Sequence, residues 1–569
     1  MKQNGLPFLR PYLARNARAS STPVRSTYLR LYASASSTPS SGEGKSSSEK
    51  GLGGSGTAPK WPYPRIVQDS RAMTCNAFRE RYSSIETPEE THQDDVVTIR
   101  GRISSIRTAG SKLVFFDIQQ DGVKTQCMAS LKPLLAPGFD KDEFRGFYNA
   151  LRRGDTISVT GTPYRASRGE LTVRVSELPQ RLVSTLHDLP TELVDPETRI
   201  QNRHVDLLVN EQTSNTLRLR SHIIQYLRNF FLSDDFLEVQ TPILADGAGG
   251  AVARSFTTRA TEFQDKELAL RIAPELWLKR LVVGGFDRVF EIGPSFRNEG
   301  LDATHNPEFT TCEFYKSYAD IEELITMTET LFSGLATCVQ NLKKERFSSL
   351  EQLDLDFTGP FKRLPFIPSI ESAMSRSLPD LASPDALSAM TSLFESLSIP
   401  LPTNPTLPRL LDKLSAIYLE PLCKETPTFI THHPECLSPL SKSFMDPATK
   451  QRISARVELF VQGRELVNAY EEENSPIEQR RKFLDQTQHK GNVEEDGMSV
   501  DESYLETLEW GLPPTGGWGC GIDRVVMLFT GAKRIGDVLN FGNLRNVVGL
   551  AAAAKERKRR QELQQAQKP

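Results

Sequence analysis

One short stretch near the middle of the chain carries residue types that could hold a nucleotide. Arg297 and Glu299 stand between two β-rich runs, residues 289–292 and 309–315, joined by a polar segment that contains Gly and Asn. This pattern is typical of an open antiparallel hairpin, with Arg297 and Glu299 projecting from one side of its first strand. A guanidinium can bind a phosphate through two parallel charge-assisted hydrogen bonds of about 1.5–3 kcal/mol each, so Arg297 is a candidate phosphate ligand. The spacing of the two charges alone would also fit a solvated surface pair.

A second set of residues that could bind a ligand or a metal ion lies between positions 458 and 472. Glu458 and Glu465 are followed by Asn468, Tyr470 and Glu472 at every second position, which points one side of a strand into a cleft. Magnesium takes oxygen ligands and is commonly held by one or two carboxylates plus substrate phosphates. Glu458 and Glu465 therefore suit ions that bridge nucleotide phosphates, although composition alone favours a solvated acidic run for residues 471–473.

Two further segments would position these groups. Residues 517–521 read Gly-Trp-Gly-Cys-Gly, where glycines permit close backbone approach to a nucleotide, and Arg524 then begins an apolar helix. Upstream, a helix with apolar residues at helical spacing is predicted, followed by a strand over residues 236–242 that ends at proline. Its apolar face comprises Ile223, Ile224, Leu227, Phe230 and Phe231. Taken alone, this pattern is equally typical of an ordinary amphipathic core helix.

In order along the chain, these segments resemble motifs 1, 2 and 3 of the class II aminoacyl-tRNA synthetases. The runs at 270–290, 296–300, 305–310, 431–442 and 457–473 are similar to the lysyl-tRNA synthetase family, and the likeness covers roughly residues 92–545. The resemblance implies an α+β fold: a class II catalytic domain, with an antiparallel sheet flanked by helices, preceded by an OB-fold barrel. It also implies ATP as a substrate, Mg²⁺, L-lysine, tRNA(Lys), a lysyl-adenylate intermediate and a homodimer formed through motif 1.

The same resemblance assigns the site residues. The ATP-binding set is Arg297, Glu299, His305, Asn306, Phe309, Glu458 and Arg524, with Arg297 and Arg524 as the catalytic pair and Glu458 and Glu465 as metal ligands. The lysine-binding set is Gly250, Glu275, Glu313, Tyr315, Asn468, Tyr470 and Glu472. Glu275 and Glu472 would meet the substrate ε-ammonium, because desolvating an unpaired ammonium costs several kcal/mol.

Two positions depart from the family pattern. Pro294-Ser295 replaces the usual Arg-Asn pair before motif 2, and Thr304 stands where an Arg commonly precedes His305. The missing Arg would weaken a phosphate or tRNA contact. Whether Arg254 or Arg259 compensates is left open by the sequence.

Five short alternating runs upstream predict an OB-fold barrel: residues 96–107, 112–118, 124–129, 156–161 and 171–175. Aromatic residues in such strands are more often core than ligand-binding. The resemblance nevertheless implies that Phe115 stacks on an anticodon base and that Arg107 and Gln126 meet base edges, the usual mode for a splayed RNA loop.

Composition indicates where the protein is located and how the chain divides into domains. The 569 residues include a basic, Ser-rich stretch, residues 1–42, without Asp or Glu, which is typical of a mitochondrial presequence. Seven scattered cysteines without a Cys-x-x-Cys pair favour a reducing setting, such as the mitochondrial matrix, over structural zinc or disulfides. The predicted domains are a presequence and linker (1–60), an extension with the barrel (61–185, barrel about 92–180), a catalytic domain (186–547, insertion about 318–430) and a basic tail (548–569).

Three alternative functions stay open at this point. An aspartyl or asparaginyl enzyme is disfavoured by Glu275, Tyr315 and Glu472. A paralogue that lysylates a protein is disfavoured by the OB-fold region. A nucleic-acid-binding module with an inactive catalytic domain is disfavoured by Arg297, Glu458, Glu465 and Arg524, which are all present.

Overall fold

A computed structural model of the protein describes residues 63–85, 94–134, 140–247, 249–250, 253–488 and 500–548, with the single residues 555 and 559. The predicted presequence and linker, and nearly all of the basic tail, lie outside these residues. Among the described residues, no helix combines the length and apolar character needed to cross a membrane.

The N-terminal part is built around a seven-stranded sheet. Its strands are β1 (Ala72–Met73), β2 (Val97–Thr108), β3 (Leu113–Gln120), β4 (Val123–Ser130), β5 (Thr156–Arg165), β6 (Leu171–Val175) and β7 (Gln180–Val183). Its helices are α1 (Cys75–Arg81), α2 (Leu131–Leu134) and α3 (Lys141–Asn149). The strand order is β1-β2-β3-β4-β6-β5-β7, and β2 also pairs with β5. This second pairing closes β2-β3-β4-β6-β5 into a five-stranded barrel, so the predicted OB fold is confirmed.

The barrel is filled as the alternation of its strands predicts. Ile99, Ile103 and Phe116 point inward and are fully buried. Tyr148 of α3 packs on Phe116 with 6.0 Å between ring centroids. Phe116 therefore belongs to the core, whereas its neighbour Phe115 is only half-buried and lies on the outer face.

Three helices lead from the barrel into the second part: α4 (Pro196–Gln201), α5 (Arg203–Val209) and α6 (Glu211–Ser233). The predicted motif 1 helix lies within α6, which buries Ile223, Leu227 and Phe231 at intervals of four residues. The predicted strand after it is shorter than expected: β8 covers Leu237–Glu238 alone. The backbone N–H of Thr241 donates instead to the Glu291 carboxylate at 3.0 Å, which removes it from strand pairing.

The second part is organised by an eight-stranded sheet with two small satellite sheets. The remaining strands are β9 (Leu244–Ala245), β10 (Thr257–Thr258), β11 (Leu268–Leu270), β12 (Arg288–Phe296), β13 (Glu308–Ser317), β14 (Lys362–Pro365), β15 (Thr428–Thr431), β16 (Ser443–Met445), β17 (Arg452–Ser454), β18 (Arg456–Val461), β19 (Arg464–Glu471) and β20 (Thr515–Gly521). The remaining helices are α7 (Glu275–Val283), α8 (Ile321–Glu345), α9 (Phe366–Met374), α10 (Ala386–Ser396), α11 (Leu407–Tyr418), α12 (Pro476–Gln488), α13 (Glu502–Glu509), α14 (Ile522–Thr530) and α15 (Ile535–Val538).

The large sheet has the order β14-β15-β18-β19-β20-β13-β12-β8. Its six central strands pair antiparallel, as predicted, but β14 on β15 and β8 on β12 pair in parallel. The expectation of an antiparallel sheet is thus correct for the centre and wrong at both edges. Parallel pairs require long crossovers, and the helical residues 366–418 supply the one between β14 and β15.

The predicted hairpin is present but longer than expected. β12 and β13 pair from Arg288↔Lys316 to Phe296↔Glu308. Arg297 and Glu299 therefore lie just beyond the end of β12 and do not project from it, which corrects the prediction. The extra pairs arise because Pro294 and Ser295 continue the strand, with the Ser295 hydroxyl buried 3.2 Å from that of Thr311.

The two faces of the sheet have different roles. Phe314 and Trp518 stack with 5.2 Å between ring centroids, and Phe231 of α6 packs on both. These side chains, with α8 and α14, form the main core on one face. Since neighbours alternate along a strand, Glu313 and Tyr315 point to the opposite face, where the cleft lies.

Candidate active site

A single cleft of about 1290 Å³ brings together most of the residues predicted to form the site. Those that line it are Gly250, Glu275, Arg297, Glu299, His305, Asn306, Phe309, Glu313, Glu458, Glu465, Asn468, Tyr470 and Arg524. Tyr315 and Glu472 are buried immediately behind its wall. The cleft therefore unites side chains from β13, β18, β19 and α7 with the loop that follows β12 and with the first turn of α14.

The three glycines of residues 517–521 explain how the cleft comes so close to the backbone. In the register, Gly517 lies between Tyr315 of β13 and Tyr470 of β19, and Gly519 lies between Glu313 and Asn468. A Cβ added to Gly517 would stand 1.9 Å from Glu472 Oε1 and 2.7 Å from Tyr315. The alternating glycines leave two gaps in the strand surface, whereas Trp518 and Cys520 face the core.

Arg297 is fixed at the cleft wall by two contacts. Its guanidinium carbon lies 5.1 Å from the centroid of the Phe309 ring, and Nε donates to the carbonyl of Ile272 at 3.3 Å. Within the described residues, no hydrogen bond engages its two Nη groups. A planar fork held in this way is prepared to bind a phosphate through two parallel hydrogen bonds. Glu299, by contrast, is exposed in the loop.

Arg524 lies in the first turn of α14 and is oriented by a short polar chain. Nη2 donates to His305 Nε2 at 3.1 Å, and Nη1 donates to the carbonyl of Glu465 at 3.0 Å. His305 Nδ1 in turn lies 2.8 Å from Asp302, whose pKa is lowered by the backbone N–H of Thr304 and by His305. His305 thus positions Arg524, and its predicted contact with the nucleotide stays a prediction.

Asn306 and Thr304 hold the loop itself. The Asn306 side chain accepts from the backbone N–H of Leu544 at 3.0 Å and donates to the carbonyl of Glu308 at 2.5 Å. Both atoms of its amide are thus used within the protein. The Thr304 hydroxyl donates to Asp302 at 3.0 Å, and the backbone carbonyl of Arg254 accepts the N–H of Asn298 at 2.7 Å, which brings residue 254 beside this loop.

Glu458 and Glu465 differ in their surroundings. Burial disfavours the charge of Glu458, but Arg456 and His433 overcome this and lower its pKa to about 2. The pKa of Glu465 is raised, by burial and by the charge of Glu458. The Arg524 guanidinium lies 3.5 Å from the Glu465 carboxylate. Two carboxylates at this place can offer oxygen ligands to a cation, although each already has a guanidinium partner, Arg456 for Glu458 and Arg524 for Glu465. The described residues offer no cluster of three or more His, Cys, Asp or Glu side chains that could hold a metal, so phosphate oxygens would have to complete the ligand shell.

The far end of the cleft contains a lysine that the sequence analysis did not single out. Lys279 of α7 is fully buried, with Nζ 2.6 Å from Glu275 Oε1, and it forms a second ion pair with Glu472. The Tyr470 hydroxyl donates to the same Glu275 oxygen at 2.7 Å. Glu472 Oε1 has no hydrogen-bond partner among the described residues. The signal available in the sequence was the four-residue spacing between Glu275 and Lys279, which a helix would place on one face.

Glu313 and its neighbours form the next part of the pocket wall. Burial and the nearby Glu275 charge raise the pKa of Glu313 to about 8. Tyr315 donates to Glu313 at 3.4 Å, and Asn468 accepts from Arg456 at 2.9 Å. Gly250 adopts φ +94°, and a Cβ there would lie 3.1 Å from that of Glu275. The structure thus brings these four residues together near Glu275, and their role in lysine binding stays a prediction.

Two buried networks were also missed. Arg220 of α6 pairs with Asp523 beside Arg524, and Arg271 pairs with Glu291 of β12, each with 2.5 Å between the charged atoms. Both connect segments remote in sequence, so no local pattern reveals them. They fix the three motif segments relative to each other.

On the OB barrel, Arg107, Phe115, Met128 and Arg174 form one row across β2, β3, β4 and β6. Arg107 is exposed and lies 3.4 Å from Asp117, which belongs to the next row. Gln126 lies in that row too, but it is buried, donating to Glu170 at 2.5 Å and accepting from Thr172 at 3.1 Å. The Gln126 amide is thus already hydrogen-bonded within the barrel, whereas the predicted contact with a base edge needs it to be free.

Comparison with known proteins agrees with this geometry. A family described as class II tRNA synthetases (D, K and N) matches residues 195–545, and one described as an OB-fold nucleic acid binding domain, the tRNA anticodon type, matches residues 97–179. The fold and the cleft thus define an aminoacyl-tRNA ligase of class II, a class whose members use ATP.

Similar proteins narrow the class. The chain is 40% identical to the mitochondrial lysine–tRNA ligase of Schizosaccharomyces pombe, over 85% of this chain and 91% of that one. It is 38% identical to the mitochondrial enzyme of Saccharomyces cerevisiae (84% and 87%) and 37% identical to the lysine–tRNA ligase of Legionella pneumophila (84% and 92%). The protein belongs to the lysine–tRNA ligase family.

Proposed function

We propose that the protein joins L-lysine to tRNA(Lys) through a lysyl-adenylate, releasing AMP and pyrophosphate, for mitochondrial translation. The observation that carries the proposal is the end of the cleft, where Glu275 and Glu472 lie beside the gap over Gly517 and Glu472 Oε1 has no hydrogen-bond partner. A buried carboxylate oxygen without a donor is costly unless a ligand supplies one. The substrate ε-ammonium is the donor that fits.

The remaining pocket residues suit the rest of a lysine molecule. Tyr315 and Tyr470 flank Gly517 in the register and would line the path of the aliphatic stem. Glu313, above Gly519, would accept the α-ammonium together with the backbone of Gly250. The substrate carboxylate is then directed toward Arg297 and Arg524, the two guanidiniums nearest the loops.

The chemistry is an in-line attack of the lysine carboxylate on the α-phosphate of ATP. Arg297 and Arg524 neutralise the charge that develops on the phosphate, and the fixed cleft orients the two reactants, which together supply most of the rate. Glu458 and Glu465 would hold Mg²⁺, which supplies further neutralisation of the phosphates when bound. Acyl transfer to a ribose hydroxyl at the tRNA 3′ end follows, without a covalent enzyme intermediate.

The other parts of the proposal rest on separate observations. The row of Arg107 and Phe115 suits an anticodon base stacked on the ring, with Gln126 supporting the strand beneath it. The presequence composition and the mitochondrial names of two relatives support a matrix location. Exposed Leu232, Leu237 and Phe286, at and near the end of α6, support a homodimer through motif 1.

The test is the substitution Glu472→Gln, assayed by lysine-dependent pyrophosphate exchange into ATP. We expect the KM for lysine to rise by a factor on the order of 10²–10⁴, because a charged acceptor of the ε-ammonium is lost. The matched control is Glu471→Gln at the next residue, which accepts the N–H of Ile321 at 3.2 Å and keeps that ability as glutamine. Equal KM values for the two variants would remove Glu472 from the pocket.

A further inference from the structure

Lys279 is placed where the proposed substrate carries its own charge. Its side chain is fully buried, and its Nζ lies 2.6 Å from Glu275 and in contact with Glu472. Three tyrosine rings surround the ammonium at 5.8–5.9 Å, those of Tyr315, Tyr470 and Tyr504. The protein thus keeps one of its own lysine ammonium groups at the closed end of the pocket.

The charges that face this group come from four elements. Glu275 on the same helix, Glu472 after β19 and Glu313 on β13 are acidic, while Tyr315, Tyr470 and Tyr504 are neutral phenols. Arg297 lies further out, toward the phosphate end. Lys279 is therefore the counter-charge to Glu275 and Glu472, the two carboxylates that would meet the ε-ammonium. Two ionised carboxylates and one ammonium together leave one negative charge.

We propose that Lys279 is a specificity-determining residue, which neutralises one of the two pocket carboxylates, holds both in place, and forms the wall against which the substrate ammonium stops. The inference rests on the proposed lysine pocket. With Lys279 present, one incoming ammonium completes the charge balance, and Glu472 Oε1 is the acceptor left for it.

Removing the Lys279 ammonium changes the protonation state of Glu275 and Glu472. Two buried carboxylates without a cation between them share a proton, because like charges at short distance cannot both stay ionised. A lysine substrate must then displace that proton in order to bind. Lysine binding would become linked to pH, and the KM would rise about tenfold for each pH unit below the apparent pKa of the pair.

The experiment compares the full-length protein with Lys279→Met, which keeps the side-chain length but not the charge. The KM for lysine is measured by pyrophosphate exchange from pH 6 to 8.5, and the ratio of the variant KM to the unmodified KM is plotted. Burial raises the pKa of both Glu313 and Glu472, which titrate in both proteins, so this ratio isolates what the Lys279 charge does to the pair of Glu275 and Glu472. We expect a ratio of at least about 10 at pH 7 that increases toward low pH, with kcat changed less than KM.

Two further variants separate charge from packing. Lys279→Arg keeps the charge, so its KM ratio should not vary with pH even if it exceeds one. Lys343→Met is the matched control: Lys343 of α8 is also buried, donates to the carbonyl of Glu351, and lies outside the cleft. Its thermal stability should fall while its KM for lysine stays unchanged.

A measurement on the unmodified protein covers the case in which Lys279→Met does not fold. Homolysine, one methylene longer than lysine, should be activated about 10–200-fold less efficiently, because the ammonium wall leaves no room for it. Comparable activation of lysine and homolysine would contradict the proposal that Lys279 closes the pocket. A KM ratio for Lys279→Met that does not vary with pH would contradict the proposal that its charge neutralises a carboxylate. Absence of any lysine-dependent exchange in the unmodified protein would instead contradict the proposed function itself.

Discussion

Arg220 of α6 and Asp523 at the start of α14 form an ion pair across 303 residues of sequence, with 2.5 Å between Nη1 and Oδ1. The other Asp523 oxygen accepts the backbone N–H of Thr310 at 2.8 Å, and Arg220 Nη2 donates to the Thr310 hydroxyl at 2.9 Å. One polar contact therefore joins the three motif segments, and it does so one residue away from Arg524.

This contact predicts a stability effect. Asp523→Asn leaves the largely buried Arg220 without its charge partner, which should lower the free energy of unfolding by about 3–5 kcal/mol. Glu322→Gln, which breaks the exposed pair with Arg363, is the control and should change it by less than about 1 kcal/mol. Urea denaturation of both variants measures this free energy of unfolding. Equal denaturation midpoints would show that the Arg220–Asp523 contact does not stabilise the fold.

The gap over Gly517 predicts a steric effect on lysine binding. Gly517→Ala would place a Cβ 1.9 Å from Glu472 Oε1, so that the carboxylate must move out of the pocket. We expect lysine-dependent exchange to fall by at least about 10²-fold, as a displacement near 1 Å can cost that much. Gly146→Ala, on α3 with open space around it, should leave exchange unchanged. Retained activity in Gly517→Ala would place the lysine elsewhere.

The raised pKa of Glu313 predicts a pH effect. With a pKa of about 8, this carboxyl is protonated at pH 7 in the free protein, and the substrate α-ammonium must displace the proton. The KM for lysine should therefore fall as pH rises from 6 to 8 and level off above 8. Glu313→Gln should bind lysine more weakly and reduce this slope, as a KM–pH series would report. A slope that the substitution leaves unchanged would belong to another group, such as Glu472, whose pKa burial also raises.

The outer row of the barrel predicts a separable effect on tRNA. Phe115→Ala should weaken tRNA binding by about 1–3 kcal/mol, the value of one stacked base, and leave pyrophosphate exchange unaltered. Val183→Ala, an exposed apolar position on β7, is the control. Filter binding and exchange assays on the same preparations would test this; an unchanged tRNA affinity would exclude Phe115 from the anticodon contact.

The sequence was most informative where function depends on local pattern. Period-two alternation marked the five barrel strands and predicted that Asn468, Tyr470 and Glu472 share one side of a strand. The glycines at 517 and 519 were recognised as points of close approach, although their opposite neighbours, Tyr315 with Tyr470 and Glu313 with Asn468, appear only in the register of the folded sheet.

The parts that escaped prediction depend on contacts between distant segments. Tyr470 and Glu275 are 195 residues apart, and the enclosure of Lys279 arises only when β19 docks beside α7. The hydrogen bond that occupies the Gln126 amide likewise depends on a distant residue, Glu170, which directly precedes β6. The parallel edges of the sheet follow from crossovers whose path no periodicity reveals.

The most direct test of the account is amino-acid-dependent pyrophosphate exchange into ATP, using protein that begins near residue 61 and each of the twenty amino acids in turn. The account predicts exchange with lysine alone, because the pocket ends in buried carboxylates that await one ammonium. Exchange with aspartate or asparagine would contradict the pocket assignment while leaving the fold intact, and no exchange with any amino acid would contradict the enzymatic function.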